Sequence, residues 1–271
     1  MKAATPPRRA LVTGGLGFIG SALTRRLAGL GTEVEVLDAL VPTHGGLRFN
    51  LKGAGRRVKV HIGDACDGPL VARLLKGADA VFHLAGQSSH LDSMESPLED
   101  LDRNCRAALT VLEACRTHNP AARVVFTSTR QVYGRPERLP VDEDHPVRPA
   151  DVNGIHKLGA EWYFRLYARV YGLKASVLRL TNTYGPRMRV RDARQNFVGD
   201  WIRRALTGRP IEIFGDGAQR RDFNYVSDVV DALLAAARSD EAAGRVLNLG
   251  GDRSHSLLQL ARLFGRHAGA T

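Results

Sequence analysis

The run Arg9-Ala10-Leu11-Val12-Thr13-Gly14-Gly15-Leu16-Gly17-Phe18-Ile19-Gly20 constrains this chain more than any other. It reads as a buried strand over Ala10–Val12 that becomes a helix near Phe18. Glycines at 14, 17 and 20 give a G-x-x-G-x-x-G spacing. Each has its own physical reason. Gly14 permits a tight turn out of the strand, Gly17 lets backbone approach a pyrophosphate, and Gly20 lets the helix pack close to the sheet. Phe18 and Ile19 open a helix whose unpaired N–H groups and positive end suit phosphate.

The next elements strengthen this reading. An amphipathic helix covers Ser21–Leu30, and a second apolar strand, Val34–Leu37, ends in Asp38. A carboxylate at that strand tip accepts both hydroxyls of a ribose and repels a 2′-phosphate. No arginine follows in Ala39-Leu40-Val41. The pattern therefore points to NAD rather than NADP.

Strands and helices go on alternating. Val58–Ile62, Ala80–Gly86, Val124–Phe126 and Ser176–Leu180 read as strands. Leu70–Leu75, Leu98–Thr117 and Ile155–Tyr171 read as helices. This order predicts an α/β fold, a Rossmann-like doubly wound parallel sheet with ligands at the carboxyl ends of its strands. After Gly185-Pro186 the rhythm changes. A helix is expected at Phe197–Leu206, a short strand at Ile211–Phe214, a helix at Ser227–Arg238, a strand at Val246–Leu249 and a helix at Ser256–His267. We divide the chain into a cofactor domain, 1–180, and a smaller C-terminal substrate lobe, 181–271, which can interleave with the first. Residues 39–56 and 135–151 are long loops, and such loops are often functional.

Composition narrows the function classes. No apolar run is long enough to span a membrane. Nothing at residues 1–7 reads as a signal peptide, so a cytoplasmic location is expected. Cys66, Cys105 and Cys115 are odd in number and lack metal-ligand spacing. They read as small core residues in a reducing compartment, with no metal. The net charge is +11, but the arginines are scattered, with one local cluster at Arg187, Arg189, Arg191 and Arg194. A field that attracts an anionic small substrate fits this better than nucleic-acid binding.

Several motifs occur together and in order. After the glycine turn come Gly63-Asp64, His83-Leu84-Ala85-Gly86-Gln87, Asn104 and Thr127-Ser128-Thr129-Arg130-Gln131-Val132-Tyr133-Gly134. Then follow Asn182-Thr183-Tyr184-Gly185-Pro186-Arg187, Gly215-Asp216-Gly217-Ala218-Gln219, Arg221-Asp222-Phe223 and Tyr225-Val226-Ser227-Asp228. From Arg9 to about Phe264 the sequence resembles the extended short-chain dehydrogenase/reductase family of nucleotide-sugar epimerases, dehydratases and decarboxylases. Gly-Pro-Arg-Met followed by Asp192-Ala193-Arg194 is similar to the decarboxylases of UDP-glucuronate.

The resemblance implies NAD as cofactor and a nucleoside-diphosphate sugar as ligand. On the cofactor side it implies Gly14, Gly17, Phe18, Ile19, Asp38, Asp64 at the adenine edge, Leu84, Ala85, Gly86, Asn104, Thr127 and Lys157. On the substrate side it implies Ser88, Ser89, Asn182, Arg187, Asn196 and Arg221. A guanidinium fork matches diphosphate oxygens, although Arg187 and Arg221 also read as solvated surface charges. Family members commonly pair through two long helices, which implies a homodimer through Leu98–Thr117 and Ile155–Tyr171.

One departure bears on the chemistry. Reversible oxidation of a sugar hydroxyl needs a base, a hydride acceptor and a donor for the developing oxyanion. The family supplies a Ser or Thr donor, here Thr129, and a Tyr base four residues before a Lys, here Lys157. At the Tyr position this chain has Asn153. An amide does not titrate and can only hydrogen-bond. His156, three residues on, is a substitute base on a similar helical face; Tyr184, Tyr133 and His90 are weaker ones. Arg130-Gln131 stands where dehydratases of the family have Asp-Glu and decarboxylases have Ser-Glu after this Thr. The sequence therefore predicts an epimerase-like enzyme. The alternatives are an impaired NAD and nucleotide-sugar binding protein, or a decarboxylase-like or dehydratase-like enzyme with a different acid and base.

Overall fold

The computed structural model describes residues 5–42, 44–191 and 196–268. Its elements in chain order are β1 (Arg9–Thr13), α1 (Phe18–Gly29), β2 (Glu33–Asp38), β3 (Val58–Ile62), α2 (Gly68–Leu75), β4 (Ala80–His83), α3 (His90–Glu95) and α4 (Pro97–Leu101). A π-helical turn, Asp102–Arg106, joins α4 to α5 (Ala107–His118). There follow β5 (Arg123–Thr129), α6 (Val152–Tyr171), β6 (Lys174–Leu180), β7 (Asn182–Tyr184), α7 (Phe197–Leu206), β8 (Arg220–Tyr225), α8 (Val226–Arg238), β9 (Val246–Leu249), β10 (Ser254–Ser256) and α9 (Leu257–Ala268).

Seven strands form one sheet in the order β3-β2-β1-β4-β5-β6-β9, every neighbour parallel. Parallel strands are covered on both faces, so their inner residues are mostly apolar, with a few buried polar ones such as His83 and Arg179. Two cores result. One packs Leu11, Val81, Phe126 and Phe164 against α2, α5 and α6. The other packs Val12, Phe82, Leu23 and Leu233 against α1 and α8. A three-stranded sheet, β10-β8-β7, stands apart. The chain interleaves: α8 and β9, from the C-terminal part, complete the large sheet and its covering layer.

Two expected elements differ. Ile211–Phe214 is not a strand. Its alternation of half-buried and exposed residues is present, but Phe214 is 83% exposed and no described strand pairs with the segment. Period alone supplies no ladder of hydrogen bonds. The helix expected over Leu98–Thr117 contains the π turn, which adds a residue and rotates Asn104 inward.

A candidate active site at the switch point

The strand order reverses between β1 and β4, and a crevice opens there at the carboxyl ends of the strands. A cavity of about 570 Å³ fills it, lined from the tips of β1 to β6. Gly14, Gly17, Phe18 and Ile19 form one wall. Gly14 takes φ +70°, and a Cβ there would stand 2.7 Å from the backbone N of Ala85. Gly20 is the tighter position, since its Cβ would lie 2.1 Å from the Gly14 carbonyl oxygen. The glycine thus closes the turn on itself. Gly17 caps α1 without a side-chain hydrogen bond, and the first turn of the helix holds no acid. Its N–H groups face the cavity with the positive helix end behind them.

Asp38 ends β2 on the cavity wall. Its Oδ2 accepts from Leu16 N at 2.9 Å and its Oδ1 from Leu40 N at 2.9 Å. Each oxygen keeps a lone pair for a further donor. Asp64, beyond β3, accepts from Cys66 N and from Arg103. Partial burial works against its charge, but those two donors outweigh it and hold the carboxyl below its usual range. Arg103 lines the cavity beside Asp64 and was not singled out from the sequence. The loop 39–56 contributes Ala39, Val41, His44, Gly45 and Gly46 to the lining, whereas no residue of 135–151 does so.

Leu84, Ala85 and Gly86 line the floor with Thr127, Thr129, Asn153 and Lys157. Thr129 Oγ accepts from Gln131 N at 3.2 Å. Lys157 is buried; its Nζ donates to the Thr127 carbonyl at 3.1 Å and lies 4.8 Å above the Phe126 ring. Burial pushes its amine down to about 8, although Asp100 and Glu161 pull the other way. His83, behind this floor, is fully enclosed; burial and then the Lys157 charge push it down to about 3, so it is neutral. Asn104 is also enclosed, donating from Nδ2 to the Gln87 carbonyl at 3.1 Å and leaving Oδ1 without a partner.

Asn153 Nδ2 donates to the Gln87 carbonyl at 2.8 Å and to Asp100 Oδ2 at 3.1 Å. The other oxygen of Asp100 meets His156 Nδ1 at 2.7 Å. His156 therefore turns to α4 and is not among the residues lining the cavity. Three residues along a helix rotate a side chain about 60° from the starting one, and four about 40° the other way. Asn153 and Lys157 share the cavity face for that reason, and His156 leaves it. Tyr133 is packed away as well, donating to Asn248 Oδ1 and accepting from Arg179, both at 2.7 Å. Tyr184 is exposed outside the cavity, edge-on to Tyr225. His90 does line the cavity.

Of the expected sugar-side residues, Ser88, Asn182, Arg187 and Asn196 line the cavity. Asn182 donates to the Asp222 carbonyl at 3.0 Å, and Asn196 caps α7 by accepting from Gly199 N at 2.7 Å. Ser89 does not line it; the residue is buried and its Oγ caps α3, accepting from Asp92 N. Arg221 lies outside the lining and donates to the Arg220 carbonyl. Arg187 and Arg189 of the basic cluster face the cavity, while Arg194 and the Asp192-Ala193-Arg194 motif lie outside the described residues. Among the described residues no helix is long and apolar enough to cross a membrane.

Beneath Thr129, the carboxylate of Glu161 receives Arg179 through both oxygens and Ser128 Oγ through one. Asp100 and Glu161 carried no signal in the sequence, since their partners come from other elements.

Comparison with known proteins adds the following. Residues 10–250 match the model of the NAD dependent epimerase/dehydratase family. The chain is 34% identical over 272 residues to UDP-glucuronic acid decarboxylase 1 of Xenopus tropicalis, covering 97% of this chain and 61% of that protein. It is 35% identical over 245 residues to the UDP-glucose 4-epimerase of Mycolicibacterium smegmatis, covering 89% of this chain and 77% of that one. The crystal structure of a UDP-glucose 4-epimerase with UDP-glucose from Thermotoga maritima superposes with a TM-score of 0.89 at 34% identity, covering 96% of this chain and 82% of that one. The chain belongs to the NAD dependent epimerase/dehydratase family, whose relatives here are enzymes acting on nucleotide sugars.

Proposed function

We propose that this chain binds NAD and a nucleoside-diphosphate sugar and epimerises the sugar through transient oxidation of one hydroxyl. The observation that carries the reading is the meeting of Thr129, Asn153 and Lys157 with the glycine turn in one cavity, where positions 130 and 131 offer no carboxylate. Elimination of water needs an acid and a base beside that threonine; oxidation and re-reduction do not. The residues fit the cofactor. The glycine turn and the bare start of α1 take its pyrophosphate, Asp38 takes the adenosine ribose, and Asp64 with Arg103 stands at the adenine end. When bound, NAD supplies a hydride acceptor. Thr129 donates to the oxygen that gains charge, and Asn182, Asn196 and Arg187 hold the diphosphate side.

A second reading is a binding protein without turnover. The amide at 153, with both N–H groups bound inside the protein, favours it. Incubation with NAD and a panel of UDP- and dTDP-sugars, with products identified by NMR, separates the two. Interconversion of two epimers is expected. A decarboxylated or dehydrated product would replace the reaction proposed, and binding without product would establish the second reading.

Asp38 should make NAD bind about 100-fold more tightly than NADP. This follows from roughly 3 kcal/mol of like-charge repulsion at a partly screened contact. Equal dissociation constants by calorimetry would refute the placement of the ribose.

We further propose a homodimer. Phe164 and Tyr167 of α6 are buried in the core, but Ile155, Trp162 and Leu166 form an exposed ridge on the same helix, beside exposed Leu98 and Leu101 of α4. A continuous apolar face of this kind suits a two-fold interface. Light scattering at micromolar concentration should give twice the chain mass, and Trp162→Glu should give monomers. A monomeric wild type would overturn the pairing.

A further inference from the structure

Resting on the oxidation reading above, we propose that Lys157 takes the proton of the reacting hydroxyl, while Asn153 offers that hydroxyl only a hydrogen-bond acceptor. The amide is fixed by its partners. A backbone carbonyl and a carboxylate both accept, so the nitrogen of Asn153 faces them and Oδ1 is left for the cavity. An amide oxygen holds a hydroxyl or a water but removes no proton.

Few other groups can act. Asp38 and Asp64 stand at the far end, at the tips of β2 and β3, and His44 sits on the loop after β2. The arginines of the lining keep their protons. His90 and Lys157 remain, and Lys157 is the one bonded to the strand that carries Thr129.

The surroundings of Lys157 suit an amine with a free lone pair. Among the described residues no carboxylate is within ion-pair distance of Nζ. Asp100 is committed to His156 and Asn153, and Glu161 to Arg179 and Ser128. An ammonium would have three N–H groups, and the Thr127 carbonyl accepts one of them. His83, facing it from β4, is neutral. One enclosed oxygen beside Gly86 makes no hydrogen bond among the described residues. Asn104 Oδ1, orphaned and enclosed, and Lys157 Nζ lie 2.5 and 3.0 Å from the point where a Cβ on Gly86 would stand.

The step balances. The O–H bond breaks and its proton joins the Nζ lone pair, directly or over one water held by Asn153 Oδ1. The carbon's hydrogen leaves as hydride to the oxidised nicotinamide, and C–H becomes C=O. In the return step the carbonyl takes hydride and the ammonium gives back its proton.

The test uses protein labelled with ¹³Cε-lysine. The chain has six lysines, and Lys157→Arg assigns the resonance. One Cε signal should titrate near pH 8 and vanish in that variant. Turnover should rise to a plateau at the same pH. At saturating NAD and UDP-sugar, Lys157→Arg should lose about 10²–10⁴-fold in kcat. Three outcomes overturn the proposal: a Lys157 signal that titrates with the other lysines, turnover retained in Lys157→Arg, or an acid limb removed by His90→Gln instead. Wild type that binds neither ligand would sink the function proposed above, and calorimetry shows this before turnover is measured.

Discussion

Lys157→Met should make the protein more stable at neutral pH while abolishing its activity. The wild-type amine is held near 8 by burial, against about 10.4 for a free lysine. The unfolded chain therefore binds more protons than the folded one between those two values. Stability contributed by this group rises with pH across that window and is at its lowest below pH 8. The charge costs on the order of 3 kcal/mol at pH 7. Methionine removes that cost and loses the hydrogen bond to the Thr127 carbonyl, worth about 1 kcal/mol. A net gain of roughly 2 kcal/mol is expected from urea unfolding at pH 7, shrinking towards zero near pH 10. A variant less stable than wild type at pH 7 would mean that the ammonium is well solvated in its pocket.

That trade explains what could and could not be read from the sequence. The glycine turn and Asp38 are local devices whose geometry follows from the residues beside them, so spacing pointed to them. Leu84 to Gly86 came from the family resemblance, and all of them line the cavity. The alternation of strands and helices carried the parallel sheet in the same way. His156 failed as a cavity residue because neighbours on a helix are known from spacing, but the direction each faces depends on what packs there. Asp100, from α4, decided it. Ser89 looked free beside Ser88 and instead caps the next helix. The small sheet was invisible because Arg220–Tyr225 is polar and shows no apolar alternation; its register comes from β7 and β10. Asn153 was legible as a departure, yet which atom it presents depends on Gln87 and Asp100, far away in the chain.

Glu161→Ala should be the most destabilising substitution near the site. Arg179 and Glu161 are both buried, with Nη2 to Oε2 at 2.6 Å, and the guanidinium also donates to Tyr133. Burial alone would lower the arginine's affinity for its proton; the carboxylate beside it outweighs this and raises it. Removing one partner leaves an uncompensated buried cation, which costs about 3–5 kcal/mol. In a domain of this size that corresponds to roughly 10 °C in melting temperature. The double variant Glu161→Met with Arg179→Met should recover most of the loss, because the desolvation of both charges disappears with them. A single variant that melts within about 1 °C of wild type, or a double variant no better than the single, would mean that the pair is solvated. Glu161→Gln tests the link to chemistry. It keeps the shape, removes a carboxylate that raises the Lys157 amine, and should move the Lys157 titration and the acid limb of turnover to lower pH together. A shift in the resonance without a shift in the rate profile would separate the buried lysine from the proton transfer.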